Sequence, residues 1–253
     1  GGHRMATSPT SVSEAQAPIN HLGRIVGALV NPKSTLEDIA RRPSWVIPMA
    51  LLTIFSLGVC FFMNQKIDWP GYIRAKAEKN PRFEQLSDEQ KQQQLQMSTK
   101  FAGGAVTYVF GLVIPITLAL IVALVYWGAF NLFAGAGATF GQSFGITAHA
   151  FLPFLIADVL TMITLAAKPF GEATPETMLA SHPGALLSPD APRWQLALLS
   201  SFELFWIWIL ILLAVGFTAV NRKKLSVSKS LGIVLGVWLV WVAVKTGFAA
   251  IFS

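Results

Sequence analysis

The sequence predicts an all-α membrane protein: a polytopic helical bundle with five transmembrane helices, preceded by one or two short amphipathic interfacial helices. Two observations carry that reading. Five apolar runs lie at Trp45–Met63, Phe101–Phe133, Ile146–Ala167, Leu196–Val220 and Leu231–Phe252. A helix rises about 1.5 Å per residue against a hydrocarbon core of about 30 Å, so each run reaches across, and the longest must tilt or emerge into water. Hydrophobic residues make up 53% of the 253 and charged residues 13%, with a mean hydropathy of +0.55, so the apolar surface faces lipid rather than a soluble core.

Taken in order, Gly1 to Arg4 read as an expression remnant in front of Met5. Ala6 to Asn20 are small, polar and proline-containing, without the apolar centre of a signal peptide, so the first span is expected to be retained. Residues 1–20 form a flexible tail, 21–44 an amphipathic interfacial segment and 45–253 the membrane domain. In the interfacial segment Leu22, Ile25, Val26 and Leu29 recur at helical spacing beside Arg24, predicting a short helix on the membrane surface that Asn31-Pro32 ends. Ser34 and Glu37 at capping-box spacing predict a second, stopped by Arg41-Arg42-Pro43.

Span one contains the chain's single cysteine, Cys60, which excludes an intrachain disulfide and a cysteine metal cluster. In the first loop Ser87 and Gln90 again have capping-box spacing, and Asp88 to Lys100 contains no glycine or proline, so the second helix is expected to begin in water before Phe101. Pro115 in span two and Pro153 in span three predict kinks. Gly135, Gly137 and Gly141 predict a tight turn joining spans two and three. The third loop, Lys168 to Gln195, is rich in proline and is expected to cap one face without regular structure. Gly232-x-x-x-Gly236 in span five has the spacing of close helix contacts, with intramolecular packing favoured over a homodimer. Trp45, Trp69, Tyr72, Trp127 and Trp194 fall near span ends, as interfacial anchors do.

The net charge of +6 does not point to nucleic acid, because the basic residues cluster beside the spans, where anionic lipid and topology account for them. Lys33, Arg41 and Arg42 before span one, with Arg222, Lys223, Lys224 and Lys229 in the fourth loop, predict a cytoplasmic N-terminus. The first loop dissents, with seven basic residues on the other side interspersed with five acidic ones.

Two segments carry a family resemblance. Arg24-Ile25-Val26 through Pro32, Thr35, Leu36, Ile39 and Arg42-Pro43-Ser44-Trp45 to Pro48 looks like the entry motif of the bacterial branch of the YIP (Ypt-interacting protein) family. Phe133-Ala134-Gly135, Gly137, Phe140, Gln142, Phe144 and His149-Ala150-Phe151-Leu152-Pro153 resemble that family's loop and third span, with His149 where an aromatic is expected. The resemblance covers Leu22 to Ser253. It implies a five-span membrane protein. Eukaryotic members are associated with Rab-type GTPases and vesicle traffic, and bacterial members sometimes accompany ABC-type export systems. The GTPase partner is not expected to carry over, whereas an adaptor or assembly role in a bacterial inner membrane is.

Three ionisable residues lie in apolar surroundings: Asp158 in span three, Glu203 in span four and Lys245 in span five. A charge at mid-membrane costs at least about 2.5 kcal/mol unless paired or hydrated. Helix rise places the three at similar depth, so Lys245 is expected between Asp158 and Glu203, pinning three spans together. This cluster reads first as a structural ion pair and second as a polar site for an ion, proton or amphiphile, with His149 extending such a route. A lone histidine without a second ligand at helical spacing makes a poor metal site, and no cofactor is predicted. There is no His-Glu-x-x-His, no Gly-x-Ser-x-Gly and no phosphate loop with lysine, so an enzyme is not expected. The expected function is a nonenzymatic scaffold or adaptor in the lipid bilayer that binds other membrane proteins, an ABC-type permease among the candidates. The alternative is a transporter or channel-like component built on the charge cluster.

Overall fold

The computed structural model describes residues 19–188 and 191–251, so residues 1–18, read above as a remnant and tail, and Pro189 and Phe252 lie outside the described residues. Among the described residues the chain forms twelve α-helices and no strand: α1 (His21–Val30), α2 (Pro32–Arg41), α3 (Val46–Lys66), α4 (Trp69–Glu78), α5 (Pro81–Glu84), α6 (Asp88–Ala102), α7 (Ala105–Ala134), α8 (Phe140–Ala150), α9 (Pro153–Ala167), α10 (Arg193–Leu199), α11 (Leu204–Val220) and α12 (Val227–Ile251). Four stretches are long and apolar enough to cross a membrane: α3, α7, α8 with α9, and α12. The pair α10 and α11, bent by 46° at its break, makes a fifth if it is one broken span. The all-helical membrane bundle stands, with a fourth predicted span that is not one continuous helix.

Each departure from the expected boundaries has a local cause. The predicted second helix is two helices, because Gly104 adopts φ 65° and Asn64 clamps it from α3: the Gly104 amide donates to Asn64 Oδ1 at 2.9 Å, and Asn64 Nδ2 donates to the Gly104 carbonyl at 3.2 Å. The capping box Ser87–Gln90 does start α6. The third span begins at Phe140 rather than Ile146, because Thr139 and Gln142 form a capping box that sequence reading passed over. Pro153 marks a break in this span: it has no N–H to bond back to His149, and it stands as the first residue of α9 after a turn at Phe151–Leu152. Pro115 sits inside an uninterrupted α7. α2 starts at Pro32, at a position whose missing N–H costs nothing, and not at a Ser34 cap. The third loop contains two short 3-10 turns, Pro175–Thr177 and Pro183–Leu186.

Small residues set the helix spacing. A Cβ on Gly111 of α7 would lie 2.6 Å from Cys60 Sγ of α3, and one on Gly216 of α11 would overlap Ile146 of α8. Between these contacts lies a buried core in which Phe130 stacks on Phe217 at 4.2 Å, Tyr126 donates to the Val234 carbonyl at 3.2 Å, and Ser143 donates to the Ala123 carbonyl at 2.6 Å. The outward faces of α7 and α12 remain apolar and exposed, as lipid-facing surfaces are, including Val109, Ile121, Leu124, Val240 and Trp241.

Two polar sides emerge from this up-and-down arrangement. On one, Asn221 Nδ2 donates to the Ala136 carbonyl at 3.0 Å and Lys224 Nζ to the Gly135 carbonyl at 2.8 Å, tying the α7–α8 turn to the α11–α12 turn. On the other, Lys66 Nζ donates to the carbonyls of Ala166 and Lys168, and the Gly171 amide to that of Lys66, tying the end of α3 to the end of α9. The α1–α2 hairpin belongs to the first side. It does not lie detached as a pair of surface helices. α2 packs on α8 and α11, with Leu36 and Ile39 fully buried, while Ile25 and Ala28 of α1 pack against Leu152. α1 therefore has two apolar faces, one in the protein and one, Leu22, Val26 and Val30, exposed.

Candidate functional site

The predicted charge triad does not assemble. Lys245 Nζ donates to Ser200 Oγ at 3.0 Å and Ser201 Oγ at 3.2 Å, hydroxyls presented by the break between α10 and α11. Glu203 follows that break and caps α11, its Oε2 accepting from the Trp206 amide at 2.8 Å. Asp158 sits on α9, which packs on α3 and α11, whereas α12 packs on α10, α11 and α7. None of the ion pairs among the described residues includes Asp158, Glu203 or Lys245. Equal depth along straight helices was the basis for the expected triad. A broken fourth span and the absence of close α9–α12 packing redirect two of its members to serine hydroxyls and a helix cap. Asp158 is left half-buried on the α9 face toward α3, one turn before Met162, whose sulfur would lie 2.9 Å from a Cβ on Gly58 of α3.

The family-like motif serves to seat the N-terminal hairpin. Gly135, with φ 54°, ends α7 in the left-handed region, and Gly137, with φ 68°, completes the turn. Trp127 Nε1 and Asn131 Nδ2 both donate to the Ala138 carbonyl, closing the loop from within α7. Phe140 stacks on Phe144, which contacts Trp45. Gln142 caps α8 with its Oε1 and donates through Nε2 to the Ala40 carbonyl of α2 at 2.8 Å. One turn on, a Cβ at Gly145 would lie 3.3 Å from Pro43 and from the Ser44 carbonyl, so a side chain there would press against the hairpin exit. His149 is 1% exposed, and its Nδ1 donates to the Gly145 carbonyl at 2.9 Å. About 13 Å of helix rise, with the break at Pro153 between them, separates His149 from Asp158. Pro153 supplies the helix break below it.

The hairpin itself contains the polar network that sequence reading missed. Arg24 is buried, and its guanidinium meets Asp38 Oδ2 through Nε at 2.9 Å and a second nitrogen at 2.7 Å. It also donates to the Arg42 carbonyl at 3.0 Å and to Ser44 Oγ at 2.7 Å. Arg42 approaches the other oxygen of Asp38 at 3.8 Å. Glu37, on the same helix, pairs with Arg222 beyond α11. The available signal was Arg24 itself, which shares the buried face of α1 with Ile25 and Ala28, where a solvated arginine has no place. Thr35 reinforces the fold of the hairpin, since a Cβ on Gly27 of α1 would overlap its hydroxyl.

On the opposite side a latch joins α4 to the third loop. Tyr72 Oη donates to Glu176 Oε1 at 2.6 Å, and Lys76 Nζ lies 2.9 Å from Tyr72 Oη and 3.3 Å from Glu176 Oε1. Burial, followed by the bond to Glu176, pushes the Tyr72 phenol up, and the hydrogen bond to Tyr72 raises the Lys76 ammonium. Burial alone would raise Glu176, but the Tyr72 hydrogen bond and the Lys76 charge hold its carboxyl below the ordinary value.

Gly232 and Gly236 make no intramolecular contact of the kind expected of them, since a Cβ on either would meet nothing within 4 Å. α12 packs inward through Ser230, Val234 and Val242 instead, one helical face away.

Three outcomes test these assignments. Asp38→Ala should lower stability by about 3–5 kcal/mol by stranding Arg24, read as a fall in unfolding midpoint in mild detergent, with Arg24→Met/Asp38→Leu recovering much of it. In a double-variant cycle of Asp158→Asn and Lys245→Met, the two should add, with a coupling below about 0.5 kcal/mol. A depressed Glu176 contributes stability that is present above the ordinary carboxylate range and lost as pH falls through its folded value. The raised Lys76 and Tyr72 contribute below their ordinary range and lose it as pH rises. Amide exchange over residues 174–178, corrected for intrinsic rates, should therefore be slow at neutral pH and speed up in acid, and Glu176→Gln should remove that acid dependence.

A family model for the Yip1 domain matches residues 26–248. No curated protein and no solved structure matches the chain.

Proposed function

The chain belongs to the Yip1 domain family, and we propose that it is a nonenzymatic membrane scaffold or adaptor that holds other membrane proteins. One observation carries this reading: four of the polar side chains within or beside the spans, His149, Glu203 and Lys245 of the predicted route among them, are engaged in short-range hydrogen bonds, while both membrane faces are built into fixed surfaces. Ser143 bonds to a carbonyl of α7 and Lys245 to hydroxyls at the α10–α11 break, while His149 bonds within α8 and Glu203 caps its own helix α11. One face presents the docked hairpin with the tied loops, and the other presents α4 to α6 latched to the third loop. Such rigid faces suit partner binding. An ABC-type export permease in a bacterial inner membrane is the partner class that the family resemblance favours.

The hairpin face is the cytoplasmic one in this reading. Lys33, Arg41, Arg42, Arg222, Lys223, Lys224 and Lys229 lie on it, close to span ends, where positive charge governs orientation. On the opposite face the basic residues of the first loop alternate with acidic ones, and Lys76 is paired with Glu176.

A second reading rests on Asp158, a half-buried carboxylate within a span that joins no ion pair among the described residues. Carboxylates in that situation mark ion or proton pathways in transporters. Crosslinking in the native membrane followed by mass spectrometry separates the two. The adaptor reading expects a stoichiometric membrane-protein partner whose recovery survives Asp158→Asn. Recovery of the chain alone, with solute flux in liposomes that Asp158→Asn stops, would replace it with the transport reading.

A further inference from the structure

The outward face of α12 carries a groove of about 470 Å³ whose walls and floor include Phe133, Lys229, Gly232, Gly236, Val237 and Val240. Its floor is open because the two glycines lack side chains and nothing else fills the space: a Cβ at either position would meet no atom within 4 Å. One wall is Phe133, at the end of α7, 68% exposed in a protein whose other phenylalanine in that turn, Phe130, is fully buried. From Lys229 to Val240 the helix rises about 16 Å, close to half of a hydrocarbon core of about 30 Å. The groove therefore runs the depth of a single leaflet.

Charge defines its mouth. Lys229 is exposed and its Nζ donates to the Lys224 carbonyl at 3.3 Å and meets no carboxylate among the described residues, while Lys224 reaches the Gly135 carbonyl. Lys223 is exposed beside them. Of the basic residues in this turn, Arg222 is the one joined to a carboxylate, Glu37, among the described residues. The groove thus combines an uncompensated cationic rim at headgroup depth with an apolar trough beneath it.

We propose that this groove is a binding site for an anionic phospholipid, with the headgroup phosphate on Lys229 and one acyl chain lying over Gly232 and Gly236. The rim charge selects this occupant over a second copy of the chain. A two-fold axis along the membrane normal would bring both Lys229 side chains to the same seam at the same depth, where like charges repel. A phosphate at the rim instead neutralises the cations, and the chain supplies the contacts that the glycines leave unmade.

Native mass spectrometry of the full chain released from mixed micelles of phosphatidylcholine and phosphatidylglycerol tests the site. The chain should retain phosphatidylglycerol in preference to phosphatidylcholine. Lys229→Ala should reduce that preference about fivefold, the factor corresponding to about 1 kcal/mol of attraction per lysine near the surface. Gly236→Leu, whose Cβ has open space around it and whose side chain would occupy the trough, should reduce retention of either lipid, and Lys91→Ala on the remote α6 should change nothing. Equal retention of the two lipids by the unaltered chain, or a preference unchanged by Lys229→Ala, would overturn the proposal. So would lipid-free dimers that Gly236→Leu converts to monomers, which would give the groove to a second copy.

Discussion

The buried pair between Arg24 and Asp38 is the constraint on which the hairpin side of this protein depends. An arginine inside an apolar packing surface is tolerable only with its hydrogen-bonding capacity met, and Asp38, the Arg42 carbonyl and Ser44 together meet it. Those partners lie on α2 and on the chain leaving it, so satisfying one guanidinium fixes α1 against α2 and sets where α3 begins. Leu36 and Ile39 then face α8 and α11, Gln142 reaches Ala40, and Glu37 reaches Arg222. The family-like residues of the α7–α8 turn acquire a shared physical role, as the receiving surface for an N-terminal segment that a hydropathy profile would leave outside the bundle.

Apolar length alone made most of the membrane architecture legible. The approximate extents of α3, α7 and α12, the glycine turn after Ala134 and the capping box that opens α6 follow from patterns local to a few residues. Less was legible where one side chain acts on a distant backbone. Gly104 ends a helix because Asn64, forty residues away, clamps it. The fourth span breaks at Ser200–Glu203, and its hydroxyls then take Lys245. Depth matching of Asp158, Glu203 and Lys245 treated the helices as straight rods of known height and left out which rods touch. Arg24 was visible as an oddity in an apolar stripe, but its partner fourteen residues on was not marked by any helical spacing.

Inside the bundle, polar groups stabilise helix breaks and close approaches; at its margins, the same residue types create exposed chemistry. Lysines illustrate the division. Lys245 is drawn onto serines at a helix break, Lys66 onto carbonyls that join two span ends, and Lys76 into a latch, whereas Lys229, bonded to the Lys224 carbonyl of its own turn, remains exposed above a glycine trough.

The most direct measurement is an accessibility profile of single cysteines placed from Leu22 to Arg41 in a Cys60→Ser background, reading water exposure with a charged maleimide and lipid exposure with a nitroxide lipid. A docked hairpin predicts that Leu36, Ile39 and Ala40 are shielded from both reagents while Leu22, Val26 and Val30 respond to the lipid probe. Cysteines at 36, 39 and 40 that react with either reagent as readily as those at the exposed positions would show helices lying free on the membrane surface, and would contradict the docked arrangement.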